Sequence, residues 1–182
     1  MVTLSILLPT IHKHRNYFKA MKECLSQQEG IEQCEIVVDE SEAYNIGTKR
    51  NKLLQRAKGD YVWFIDVDDM IAYNAVKLVL EACKEGSDCI GISGTITTNG
   101  KNEKQWHISK DYGSWRTEND VYLRTPNHIS PVKRELTLQA GFPEISFGED
   151  FEYSMRLIPL IKTETKVNGN IYWYRFISKK YK

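Results

Sequence analysis

Three carboxylates stand within four positions, Asp66, Asp68 and Asp69, directly behind the apolar run from Tyr61 to Ile65. Carboxylates this close repel one another, which is unfavourable unless a cation lies among them. Oxygen ligands suit Mg2+ or Mn2+, which use one or two carboxylates and take further ligands from substrate phosphates. The chemistry on offer is a divalent ion gripping a phosphorylated ligand; the alternative is an acidic turn closing a buried strand. A second acidic pair, Glu149 and Asp150, opens a helical pattern. There a carboxylate suits the helix dipole, and one aimed into a cleft can serve as a general base. His128 could be a third metal ligand or a diphosphate contact, with a structural role as the alternative. The run His12-Lys13-His14-Arg15 could face a phosphate or form a solvated loop. His12 and His14 lack a third ligand nearby and do not read as a zinc site.

These groups need elements to position them. The run from Tyr61 to Ile65 reads as a strand covered on both faces, and open α/β sheets bind ligands at the carboxyl ends of such strands. In an extended chain Asp66 and Asp68 would project to one side. Thr3 to Leu8 reads as the first strand, ending at Pro9-Thr10, and Glu35 to Val38 as the second, ending at Asp39-Glu40. Asp39 could hydrogen-bond a ribose or base. Helical spacing covers Asn16 to Gln28, with Gly30 as its stop, and then Tyr44 to Lys58. In that second helix Gly47 permits close backbone approach, and Lys49 and Arg50 could reach a diphosphate. The order β-α-β-α-β predicts a parallel first half. Asn74 can cap a helix to about Lys84, and Asp88 to Thr97 reads as a strand. Asn99-Gly100 is a hairpin turn, so Lys104 to Ser109 returns antiparallel and the sheet becomes mixed. Lys110 to Asn127 is irregular, either a loop covering a pocket or a pair of strands. His128 to Val132 reads as a short strand, Glu135 to Ala140 as a helical turn, and the segment after Phe147 as a helix that Pro159 either kinks or ends. Thr163 to Phe176, with Asn168-Gly169 in its middle, reads as a hairpin, and the basic tail Lys179, Lys180 and Lys182 as frayed.

Composition narrows the partners. The chain has 182 residues, enough for one domain with a real core. Its net charge of +1 leaves no footprint for sequence-independent nucleic-acid binding. Cys24, Cys34, Cys83 and Cys89 show neither Cys-x-x-Cys nor zinc spacing and read as reduced thiols of a cytoplasmic protein. The Leu4 to Leu8 run is too short for a secretory signal, and no stretch nears the roughly 20 apolar residues of a membrane span.

Taken in order, these motifs resemble the family-2 inverting glycosyltransferases of GT-A fold. The resemblance rests on Pro9-Thr10, Asp39-Glu40, Gly47 with Arg50-Asn51, the run from Gly59 through Asp69, Gly141-Phe142-Pro143, and Gly148-Glu149-Asp150 with Arg156. It extends from about Leu4 to Leu160. It implies a single Rossmann-like α/β domain over 1–182, with a mixed central sheet, a parallel N-terminal half and helices on both faces. The nucleotide-sugar half would run to about residue 97 and the acceptor and catalytic half from about 98. It implies Mn2+ or Mg2+ on Asp66 and Asp68, with His128 as a candidate third ligand. Pro9, Thr10, Asp39, Gly47, Arg50, Asp66 and Val67 would bind the nucleotide. Asp150 would be the base, supported by Glu149. The donor would be a nucleoside-diphosphate sugar, most commonly of UDP, and the acceptor a glycan, a lipid-linked sugar or another hydroxyl. Membrane contact, if any, would come through that acceptor. Two departures stand out: Lys49 replaces a small residue before Arg50, and Asp39-Glu40-Ser41 lacks the usual glycine of the second-strand loop. The Gln-x-x-Arg-Trp signature of processive synthases is absent, which implies a soluble, non-processive enzyme.

Two rival readings stay open on the residues alone. An apolar strand ending Asp-x-Asp is also the signature of haloacid-dehalogenase-like phosphatases, with Asp66 as nucleophile and Asp68 as acid/base. That family places the motif on its first strand, whereas two β-α units precede it here. The other rival is a non-catalytic module that binds a sugar nucleotide.

Overall fold

The computed structural model describes residues 2–177; the basic tail read as frayed lies outside them. Three parallel strands open the chain: β1 (Leu4–Pro9), β2 (Cys34–Asp39) and β3 (Tyr61–Phe64), with β1 in the middle. Helices α1 (Arg15–Ser26) and α2 (Ile46–Arg56) make the crossovers. Period-two alternation along the strands divides the core. Leu4, Ile6, Leu8, Tyr61 and Trp63 pack with Met21 and Leu25 of α1 and with Val76, Val79 and Leu80 of α3 (Ala75–Cys83). Leu7, Val37, Val62 and Phe64 face the other way, onto Leu53 and Leu54 of α2, Ala140 of α4 (Arg134–Ala140) and Tyr153 and Leu157 of α5 (Glu149–Leu157). Helices therefore cover both faces, which is why these strands read as continuous apolar runs.

The second half is mixed, as the pattern predicts. Strand β5 (Cys89–Thr98) turns through Asn99 and Gly100, both at positive φ, into antiparallel β6 (Lys101–Ile108). The irregular stretch resolves into a pair of strands, β7 (Arg116–Glu118) and β8 (Val121–Arg124), with β8 parallel to β6. Between β3 and β5 lies β9 (Val132–Lys133), antiparallel to both.

Several local expectations are corrected. The helix read to Gln28 ends at Ser26, and Gly30 takes its left-handed conformation in the following turn. Asn74 makes no capping bond; Gln28 does that work, accepting from the Val76 N–H at 3.1 Å and donating to the Ala72 carbonyl at 2.9 Å. His128 lies in a loop, not a strand. The largest difference is the last segment. Glu164–Phe176 is one long strand, β10, parallel to β5 and antiparallel to β4 (Met70–Ile71). Its register slips between Lys166 and Asn170, so Asn168-Gly169 builds a bulge where the dipeptide pattern predicts a turn.

Candidate active site

The site begins where β3 leaves the sheet. The ladder ends at Phe64, and the Asp69 N–H donates to the Asp66 carbonyl at 3.0 Å, closing a turn. Strand alternation therefore does not place Asp66 and Asp68 side by side; the turn does. The last strand holds this turn from behind. Tyr172 donates its hydroxyl to Asp69 Oδ2 at 2.7 Å and accepts from the Asp66 N–H at 3.3 Å. The Arg175 N–H donates to Asp69 Oδ1 at 2.8 Å, and its guanidinium donates to the Asp68 carbonyl. Both carboxylate oxygens of Asp69 are thus engaged, and all three aspartates of the turn line the cleft.

Arg50 reaches the turn from α2. It is 2% exposed, and its Nη2 sits 3.1 and 3.2 Å from the two oxygens of Asp66. Its Nε lies 3.6 Å from Glu149 Oε1, and its guanidinium rests over the Phe64 and Phe142 rings. The arginine joins the two acidic motifs across the cleft. Their spacing is fixed by a strap between α2 and the segment before α5. Asn51 exchanges two 2.9 Å hydrogen bonds with the backbone of Phe142, and Asn45 donates to the Glu144 carbonyl at 2.9 Å. A Cβ on Gly47 would stand 1.8 Å from the Pro143 carbonyl oxygen. The close approach that Gly47 permits is to this segment of its own chain.

Burial opposes ionisation of all three turn carboxylates, and their neighbours separate them. For Asp66, Arg50 and then His128 outweigh burial and hold the carboxyl well below the usual carboxylate range. For Asp68 and Asp69, burial and then the Asp66 charge push the carboxyls upward. Two carboxyls whose ionisation is opposed by a third, ionised one mark a place that favours added positive charge. His128 is 7% exposed, with Nε2 3.5 Å from Asp66 Oδ2 and neither ring nitrogen hydrogen-bonded. A buried imidazole in that condition suits a ligand role. Among the described residues no three His, Cys, Asp or Glu side chains are already gathered as a metal cluster. The donor types fit a hard divalent ion, with Asp66 turned from Arg50 or shared with it.

A cleft of about 780 Å3 opens over these groups. Pro9, Thr10, Arg50, Asp66, Asp68, His128, Glu149 and Asp150 all line it. Asp39, Gly47 and Val67 do not. Asp39 stands behind Thr10, its carbonyl accepting the Thr10 N–H and its carboxylate the Ser41 N–H, each at 2.9 Å. Val67 is buried in the core. Lys49 lines the cleft but is almost wholly buried, donating to the Thr10 carbonyl. Sequence reasoning missed Tyr174, Arg175 and Phe147 on the cleft wall. The hairpin reading of the last segment hid the first two; Phe147 carried no signal beyond its neighbours Glu149 and Asp150.

Fold and cleft together define a Rossmann-like domain with an acidic ligand edge, the architecture of nucleotide-sugar enzymes. Residues 17–151 match the family described as Glycosyl transferase family 2, and the chain belongs to it. This sets aside the phosphatase alternative. Similar solved structures include S. aureus TarS 1-349 in complex with UDP-GlcNAc, at 17% identity and a TM-score of 0.73 over 98% of this chain. The same TarS fragment in complex with UDP aligns at 18% identity, with a TM-score of 0.71 over 95%. The chain spans 60% of each of these structures. The likeness establishes the GT-A fold expected from the sequence. No curated protein matches the chain. Among the described residues no helix is long and apolar enough to cross a membrane.

Proposed function

We propose that this chain transfers a hexose-type sugar from a UDP-sugar to an acceptor hydroxyl with inversion at the sugar carbon. One observation carries the reading: the Asp66–Asp69 turn and the Glu149-Asp150 helix start face one cleft, joined by Arg50. The TarS complexes with UDP and UDP-GlcNAc share the fold and favour uridine as the nucleoside. The nucleoside lies against Pro9 and Thr10, backed by Asp39. Gly47 and Val67 act through the backbone they shape. Arg50 neutralises charge on the diphosphate side of the cleft. Asp150 is half-buried on the wall, its Oδ1 accepting only the local Phe151 N–H at 2.8 Å among the bonds described. It takes the proton of the acceptor hydroxyl, and Glu149 keeps Arg50 in register beside it. Asp66 and Asp68, with His128 as third ligand, would hold Mn2+ or Mg2+. Bound there, the ion would supply Lewis-acid stabilisation of the departing diphosphate. A cytoplasmic setting belongs to the same reading, in keeping with four free thiols.

Calorimetric titration of UDP and of GDP, each with Mn2+ and with EDTA, tests the donor site. UDP should bind only with metal, and Asp68→Ala should abolish it. Absence of any nucleoside-diphosphate binding sinks the assignment. In an active enzyme Asp150→Asn should lower turnover by about 10²- to 10⁴-fold while leaving UDP affinity intact. If wild type binds UDP but never turns over, the non-catalytic alternative takes its place.

A further inference from the structure

The cleft has an aromatic wall to which the proposed donor site assigns no role. Phe147, Phe151 and Trp115 all line it, as does Asp150. Phe147 is 87% exposed and Phe151 45%. Exposed ring surface gains free energy when a ligand covers it. Trp115 is held in one orientation. It meets Phe151 edge-on, with centroids 5.3 Å apart. Its indole N–H donates to Thr125 Oγ1 at 2.9 Å, and that hydroxyl bonds Ser154 Oγ at 2.7 Å. Ser154 in turn donates to the Pro126 carbonyl at 2.7 Å. The Arg124 guanidinium lies 5.1 Å from the indole ring. The Trp115 part of the platform is therefore ordered before anything binds, which lowers the ordering cost of binding.

The position of the wall identifies its occupant. An acceptor hydroxyl must come within hydrogen-bond reach of Asp150, which lies in sequence between Phe147 and Phe151. Whatever carries that hydroxyl enters the cleft these rings line, beside Phe151 and the indole that meets it. A pyranose has a C–H face that suits an aromatic platform and a hydroxyl rim that suits a carboxylate. We propose that Phe147, Phe151 and Trp115 form an acceptor subsite for a pyranose ring, stacked by its C–H face with one hydroxyl directed at Asp150. This inference rests on the glycosyltransferase reading above.

The test is saturation-transfer NMR on the full chain with UDP and Mn2+ present. The probes are the methyl glycosides of glucose, galactose and N-acetylglucosamine, with hexanol as an alkyl control. UDP affinity is read in the same samples by calorimetry. At least one glycoside should receive saturation on its ring C–H protons. Its affinity should fall roughly two- to tenfold in Phe147→Ala, an exposed position where folding is not at risk, and again in Trp115→Leu. If UDP binds but no glycoside signal appears, or only hexanol responds, or both variants retain wild-type affinity, the subsite is refuted. If UDP itself does not bind, it is the donor reading that fails.

Discussion

Arg50 keeps a full charge almost out of contact with water because two carboxylates from separate elements meet it there. Removing a buried partner leaves its counter-charges uncompensated, which typically costs about 3–5 kcal/mol. Arg50→Met should therefore lose stability near the lower end of that range at pH 7, measured by urea denaturation, because the Asp66 carboxylate is partly open to the cleft. The sign with pH follows from the lowered Asp66 value in the folded state. That contribution is present above the ordinary carboxylate value of about 3.9 and disappears as pH falls through the folded one. The gap between wild type and Arg50→Met should narrow in acid; a gap that holds constant to pH 3 would refute the pairing. At this scale the sequence was partly legible. The Asp66–Asp69 cluster and Asp150 announce themselves by type and spacing. Lys49 and Arg50 do not, since a basic pair on a helix looks the same whether it faces water or a cleft. Only the fold brings Asp66, Glu149 and the Thr10 carbonyl to them.

At the scale of elements, the parallel units were readable because each buries apolar residues on both faces at strand or helix period. The last strand was not. Asn168-Gly169 carries the local signature of a turn, and only long-range pairing with β5 makes it a bulge. That misreading mattered, because β10 carries the groups that hold the acidic turn. Tyr172→Phe should leave Asp69 Oδ2 without its donor, at a cost of about 1–3 kcal/mol for a buried polar group. The urea midpoint should fall, and Mn2+ affinity, followed by electron paramagnetic resonance, should weaken several-fold as the turn loosens. Unchanged Mn2+ affinity would mean that the turn keeps its shape unaided. The strap between α2 and the Phe142–Ile145 segment is a second device of this kind. It identifies the close approach that glycine at position 47 permits and gives a packing reason for asparagine at position 51, which the sequence presents only as family motif.

For the molecule as a whole, a cluster of mutually repelling carboxylates makes stability depend on pH and metal together. Asp68 and Asp69 have raised values in the folded state, so they stabilise the fold below the ordinary carboxylate range. That support is lost as pH rises through the folded values. A divalent ion and UDP should restore it. At a hundredfold excess over Kd a ligand adds about 2.7 kcal/mol. The rise in melting temperature with Mn2+ and UDP should be larger at pH 8 than at pH 5, and EDTA should reverse it. Equal shifts at both values would disconnect the cluster from the ion. The same architecture has a consequence for biosynthesis. Asp69 is fastened by Tyr172 and Arg175, partners 103 and 106 positions further along the chain. A nascent polypeptide emerging from the ribosome can lay down its three parallel strands and both crossover helices early. It cannot secure the acidic turn until β10 has been translated. On the proposed function, donor capture would fall to the domain with β10 in place, and a folding intermediate lacking that strand would meet the donor with an unfastened grip.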